Sequence, residues 1–443
     1  MKYVSISRSK LALPVFFRAL LIALALASNA RSEDLTRTEA ERLWRENNRD
    51  LKIAASAVSG AKGDLAAADR APNPNVSLST SQISTHTGIG AGAPGDKAID
   101  SVLRVEQSWE RGGKRDLRAR AGQARVMAAE ADAIDATRQG LIQLYNAYWD
   151  LKLAIERERL TRSAAELART SAGASEKRLA AGDIAAADLA KLQVDTLHAE
   201  NDARSAVADR EKAQYSLAIL IGREHDAPAM GCADDWPPLE STAALVAGMG
   251  DVNIRADVKA AGQRMEAATA TRDGAKALAV RDITIGLQYE RYPPAAGLSP
   301  NNTWGISVAV PLFASRSYFS GEIQRAEADL EAARELAERT RSLARQEVAR
   351  ALSDLRASAE RRQRLEPALL PAAERVARAN EFAYANGAIS LLDLLDARRT
   401  LRQTQQEGAA ARNDYAKALA TWQLQFPREP QRLASFKEFI DEK

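Results

Sequence analysis

Two stretches of this chain, roughly two hundred residues apart, read alike, and this duplication restricts the fold more than any other feature. Gly182-Asp183-Ile184, with Asp188-Leu189 behind it, aligns with Gly387-Ala388-Ile389 and Asp393-Leu394 at an offset of 205. Asn75-Val76-Ser77-Leu78 aligns with Asp282-Ile283-Thr284-Ile285 at an offset of 207. Each half reads as helix, strand, loop, strand, very long helix, turn and return helix. The expected organisation is a first repeat over 31–222, a Pro- and Gly-rich linker over 223–250, a second repeat over 251–426 and a short tail over 427–443. Residues 1–30 read as an export signal: Lys2, Arg8, Lys10 and Arg18 precede a short apolar run, and Ser28 and Ala30 are the small residues a signal peptidase requires.

The strands need a special reason to exist in a chain otherwise patterned for helices. In residues 282–313, Ile283, Ile285, Leu287 and Tyr289 alternate with polar or small neighbours, and so do Trp304, Ile306, Val308, Val310 and Leu312. Period-two alternation makes one apolar and one polar face. A weaker copy runs over 76–83 and 102–109. After the signal no run of 18 apolar residues occurs, so entry into a membrane would have to be by strands. Four strands leave unpaired edges and cannot span lipid alone. Two chains would give eight strands, a barrel largely filled by side chains, and three would give twelve with a usable lumen. The apolar residues would face lipid, and Gly305, Ser307 and Ala309 would line the pore. The same alternation also fits a soluble hairpin packed on helices.

Residues 114–181 contain no Pro and almost no Gly, a helix of about 100 Å at a rise of ~1.5 Å per residue. Residues 317–384 repeat it, with kinks expected at Pro367 and Pro371. Lys plus Arg (62) nearly balances Asp plus Glu (59), and no basic patch interleaved with aromatics appears, which argues against nucleic acid as a partner. His86, His198 and His225 are scattered and Cys232 is the only cysteine, so neither a metal site nor a cofactor is expected. No nucleophile–base set and no phosphate loop is found, and no enzyme is expected.

The signal, the duplicated plan and the two Gly-centred turns resemble the TolC-type outer membrane efflux proteins. Val308-Ala309-Val310-Pro311-Leu312-Phe313 is similar to that family's strand ending in Pro-Leu-Phe. Gln107-Ser108-Trp109-Glu110-Arg111-Gly112-Gly113-Lys114-Arg115 resembles the strand–helix junction of the CzcC-like heavy-metal branch, with Gly112, Gly113, Lys114 and Arg115 at its centre and its basic residues where periplasmic headgroups would lie. The resemblance implies a mainly α chain with a small β part. It implies a homotrimer with a 12-stranded transmembrane barrel in outer membrane lipid, continued by an α-helical periplasmic barrel. Partners would be a periplasmic adaptor (membrane fusion) protein and an inner-membrane RND-type pump, with metal cations as the leading cargo. Drug or solvent efflux, or type I secretion, are alternatives, and a periplasmic coiled-coil adaptor is the alternative of another class. By the same resemblance Asp393, Asp396, Asp188 and Tyr384 surround the pore aperture, and the turns at Gly182-Asp183 and Asn386-Gly387 dock the adaptor. Ile389 stands where some members carry an Arg, which removes the family's Arg–Asp lock. Like carboxylates ringing a narrow pore filter cations, so selectivity is expected at the turns and not on the strands. Asp at a helix start is also ordinary helix chemistry.

Overall fold

The computed structural model describes residues 33–426 except 87, 92, 94–95, 242–249 and 293–300. The expected export signal, the tail, part of the linker and the middle of the second hairpin loop lie outside the described residues. In chain order the elements are β1 (Glu33–Leu35), α1 (Arg37–Asn47), α2 (Arg49–Ala68), β2 (Asn75–Ser81), β3 (Asp100–Trp109), α3 (Lys114–Ala180), α4 (Ala186–Ile221), β4 (Met230–Cys232), α5 (Ala256–Ala277), β5 (Ile283–Arg291), β6 (Asn302–Ala309), α6 (Ser320–Arg364), α7 (Leu370–Ala385) and α8 (Leu391–Gln425). The chain is mainly helical with a small β part, and the duplicated order of elements is realised. No helix among the described residues is long and apolar enough to cross a membrane.

The long helices follow from composition. Along α3 the buried positions include Ala121, Ala124, Ala128, Ala131 and Ala133, then Leu144, Tyr148 and Leu151. Alanine seams let helix backbones approach closely while charged side chains keep to water. The expected kink is a π-helical turn, Leu365–Leu369, which contains Pro367 and joins α6 to α7. Three expectations need correction. The helix read over 35–70 is two helices broken at Asn48, whose side chain donates to the Leu220 carbonyl at 3.3 Å. β2 stops at Ser81, because Gln82 turns to φ +63. β6 ends at Ala309, so Val310 and Leu312 lie past the strand rather than on its lipid-facing row.

The chain divides into two compact units. One takes in the stretches ending at Asn48, Gly140–Ala247 and Ala351–Leu424; the other takes in Arg49–Gln139, Gly248–Arg350 and the stretch from Gln425 onward. In the first unit, β1 pairs in parallel with β4. The segment after β4 is laced to the helices. Trp236 Nε1 donates to Glu156 at 2.9 Å, Arg362 donates to the Pro237 carbonyl at 2.6 Å, and the Glu240 amide donates to the Tyr415 hydroxyl at 2.9 Å. Arg412 bridges Glu156 and Glu366 at 2.6 and 2.7 Å. What reads in sequence as a linker is therefore, in its described part, a strap fixed to α3, α6 and α8. The second unit holds the antiparallel sheet, ordered β2-β3-β5-β6. The two repeats meet in it through the β3–β5 ladder, from Ser101↔Arg291 to Trp109↔Ile283.

Candidate functional site

The sheet is one of two places where sequence expectation converges. Its register puts Val76, Leu78, Leu103, Val105, Trp109, Ile285, Leu287, Tyr289, Trp304, Ile306 and Val308 on one face. Ser77, Ser79, Arg104, Glu106, Ser108, Thr284, Gly286, Gln288, Glu290, Gly305, Ser307 and Ala309 take the other. The apolar face is the exposed one: Leu78 is 71% exposed, Ile306 79% and Val308 66%. On the opposite face Arg104, Glu106, Gln288, Gly305 and Ser307 are partly shielded and Gly286 is buried, while Ser77, Ser79 and Ala309 are exposed. A sheet on a water-soluble core has the reverse arrangement. Tyr289 and Trp304 sit side by side with ring centroids 5.0 Å apart.

Below the sheet, Gly112 and Gly113 take φ of +75° and +69°, turning β3 into α3. Three basic side chains at this junction, those of Lys114, Arg115 and Arg118, are engaged by the protein. Lys114, nearly buried, donates to Asp282 at 2.8 Å and to the Val280 carbonyl at 2.9 Å, tying the first repeat to the second. Arg115 donates to the Asp69 carbonyl at 2.5 Å, and Arg118 pairs with Glu110.

The second place is the pair of helix–helix turns, both within the first unit. At the end of α3 the Asp183 amide donates to the Arg178 carbonyl and the Gly182 amide to Leu179, both at 2.9 Å. At the end of α7 the Ala388 amide donates to Ala383 at 2.9 Å and the Gly387 amide to Tyr384 at 3.0 Å. Both turns are Schellman motifs, with glycine at φ +84° and +71°. The hairpins of the two repeats pack here through Ala172, Leu192, Leu391 and Leu394, against which Tyr384 and Leu395 rest. The Arg178 guanidinium lies 5.8 Å from the Tyr384 ring centroid. Of the three aspartates, Asp393 closes a capping box: its carboxylate accepts from the Ser390 hydroxyl at 2.6 Å and amide at 3.1 Å. Asp188 pairs with Lys191 at 3.3 Å. Asp396 is exposed and has no partner among the described residues. Asn386 donates to the Phe382 carbonyl at 2.8 Å.

Sequence reasoning missed Arg398. It donates to Glu381 at 3.2 Å and to Ser171 at 2.9 Å, joining the second repeat's hairpin to the first. A separation of 227 residues from Ser171 leaves no local pattern to read. Elsewhere, burial pushes the Cys232 thiol up to about 12, against the pull of Lys152, so the single cysteine is unreactive at neutral pH. No cluster of metal-ligating side chains occurs among the described residues.

The sequence model of the family described as "Outer membrane efflux protein" matches residues 42–223 and 253–423. The chain belongs to that family. This outer membrane efflux protein is 28% identical, over 81% of each chain, to the cobalt-zinc-cadmium resistance protein CzcC of Cupriavidus metallidurans. Its fold is shared with the CmeC outer membrane channel of Campylobacter jejuni (TM-score 0.77, 18% identity, 92% of this chain and 88% of that one). It is shared also with the outer membrane protein VceC of Vibrio cholerae (TM-score 0.71, 20% identity, 87% of this chain and 95% of that one). The chain is thus an outer membrane efflux protein, a transport protein.

Proposed function

We propose that three copies of this chain close into one passive exit duct, receiving cargo from an inner-membrane RND-type pump through a periplasmic adaptor. The observation that carries this reading is the inverted sheet: its apolar side chains are exposed, the polar face is partly shielded along β3, β5 and most of β6, and β2 and β6 each have a single neighbour. Exposed apolar strands satisfy lipid, and open edges in lipid would leave backbone groups unpaired, so the sheet calls for further copies. Twelve strands are the smallest such closure with room for a lumen. Gly305, Ser307 and Ala309 then line that lumen.

The cargo we propose is metal cations. Support comes from the likeness to a cobalt-zinc-cadmium resistance protein over most of both chains. A duct needs no tight metal site; it needs a charge pattern that cations tolerate. We assign the aperture to the turn region, with Asp396 as the carboxylate free to face passing ions, Asp393 divided between that role and its cap, and Asp188 and Tyr384 beside them. The turns at Gly182-Asp183 and Asn386-Gly387 are the adaptor-docking points.

The test pairs two measurements. Purified protein should be a trimer in detergent by light scattering, and a monomer would sink the duct. A strain lacking the gene should become sensitive to Zn, Co or Cd and be rescued by the wild-type chain but less well by Asp396→Asn. Unchanged metal tolerance in the deletion strain would remove metals as the cargo.

A further inference from the structure

The polar face of the sheet carries charges that the turn region does not account for. Its strand residues include three carboxylates, Asp100, Glu106 and Glu290, against one guanidinium, Arg104, a net charge of −2 per chain. The other face holds only Arg291, at the loop end of β5. These groups are held in place. Arg104 donates to Gln288 Oε1 through Nε at 3.1 Å and Nη2 at 2.8 Å, and lies 3.5 Å from Glu106. Two glycines leave the room they occupy: a Cβ on Gly305 would meet Gln288 at 3.0 Å, and one on Gly286 would meet Glu106 at 3.1 Å and collide with Ser307. Arg104, Glu106 and Gln288 therefore lie flat along the wall. Next to them, Glu290 on β5 pairs with Val102 on β3, two residues from Asp100, and its carboxylate accepts from the Tyr292 hydroxyl. Asp100 is 8% exposed; one of its oxygens accepts from Gln82 at 2.5 Å, and the other is buried with no hydrogen-bond partner among the described residues.

We propose that the strand wall is a second cation-favouring level of the duct, in which Glu290 and Asp100 set the field and the Arg104–Glu106 pair moderates it. This rests on the reading of the polar face as pore lining. A buried carboxylate oxygen without a protein donor is left to water or a cation, and a mobile cation is what the duct supplies. Like charges fixed on the wall of a confined aqueous passage raise the local concentration of counter-ions. Three chains would place −6 around one lumen, from three times the −2 of each chain. The turn aspartates would then not be the sole source of selectivity.

The test uses the full chain in planar bilayers, reading the K⁺/Cl⁻ permeability ratio from reversal potentials in a KCl gradient. Asp393→Asn with Asp396→Asn removes the turn carboxylates and serves as background. In that background the ratio should stay above one. Adding Glu290→Gln, which keeps the side chain's shape, should lower it by roughly twofold or more, while Arg104→Gln should raise it. Both effects should shrink as salt rises, because the screening length falls from about 10 Å at 0.1 M to about 3 Å at 1 M. A ratio that neither variant moves, at unchanged single-channel conductance, overturns the inference and leaves the duct standing. Movement of both variants in the same direction also overturns it, since opposite charges must act oppositely. Absence of any conductance from the wild-type chain overturns the duct and this inference together.

Discussion

Arg255 shows how one buried residue holds the second unit together. Its side chain is 1% exposed, and it donates to Asp257 at 3.1 and 2.7 Å, to Glu347 at 2.8 Å and to Gln425 at 2.7 Å. Burial works to raise the Asp257 carboxyl, but the hydrogen bonds and charge of Arg255, helped by the charge of Arg138, outweigh it and leave the group below the usual aspartate range. A carboxyl lowered in the folded state contributes stability that is complete above its unfolded value. That contribution is lost as pH falls through the lower, folded value. Asp257→Asn should therefore be less stable than wild type at pH 7, and the gap should narrow as pH falls below about 4, the unfolded carboxyl value. Thermal unfolding in detergent at pH 7 and pH 3 measures it, and a gap as wide at pH 3 as at pH 7 would show that the loss is not electrostatic. Arg255→Ala should lower stability by about 3 kcal/mol, since it leaves Asp257 without its counter-charge. Nothing in the sequence around Arg255 singles it out, because Glu347 and Gln425 lie 92 and 170 residues away.

Among the elements, legibility followed range. The long helices α3 and α6 are readable because Pro-free, Ala-rich runs declare themselves locally, and Pro367 announces the π turn between α6 and α7. The alternating strands are readable for the same reason. β1 and β4 are not: at three residues each, Glu33–Leu35 and Met230–Cys232 hold no period, and their pairing spans the whole first repeat. The turns fall between these cases. Gly182 and Gly387 are visible as breaks, but their identical hydrogen bonding emerges only in three dimensions. A Cβ at either would meet nothing within 4 Å, so the demand for glycine comes from positive φ alone. Gly182→Ala and Gly387→Ala should each cost about 1 kcal/mol, with Asn at either position costing less. Ser390→Ala, which opens the capping box of α8, should cost about as much. Chemical denaturation of the purified protein provides the comparison. A Gly387→Ala variant as stable as wild type would mean that the turn relaxes out of the left-handed region.

At the scale of the whole molecule, the sheet's faces decide which solvent it was selected for, and two adjacent residues can separate the possibilities. Ile306 points to the apolar face and is 79% exposed, while Ser307 points to the polar face and is partly shielded beside Gly286. In water, Ile306→Arg would be harmless or helpful, because an exposed isoleucine gains nothing by staying apolar. In lipid, an arginine at mid-depth of a barrel wall costs about 2–4 kcal/mol per copy, and three copies incur it together. Ser307→Arg would meet a water-filled lumen, where added charge changes conduction more than insertion. The expected outcome is therefore asymmetric. Ile306→Arg should lose the heat-resistant trimer and appear in the periplasmic or insoluble fraction. Ser307→Arg should assemble normally and conduct cations less well. Equal tolerance of both would place the sheet in water, and with it would go the closure of β2 and β6 onto neighbouring copies. Each half of the duplication supplies one hairpin, and the β3–β5 ladder joins the two into a single sheet. That sheet still ends in open edges, so the duplication halves the number of chains needed without removing the need for partners.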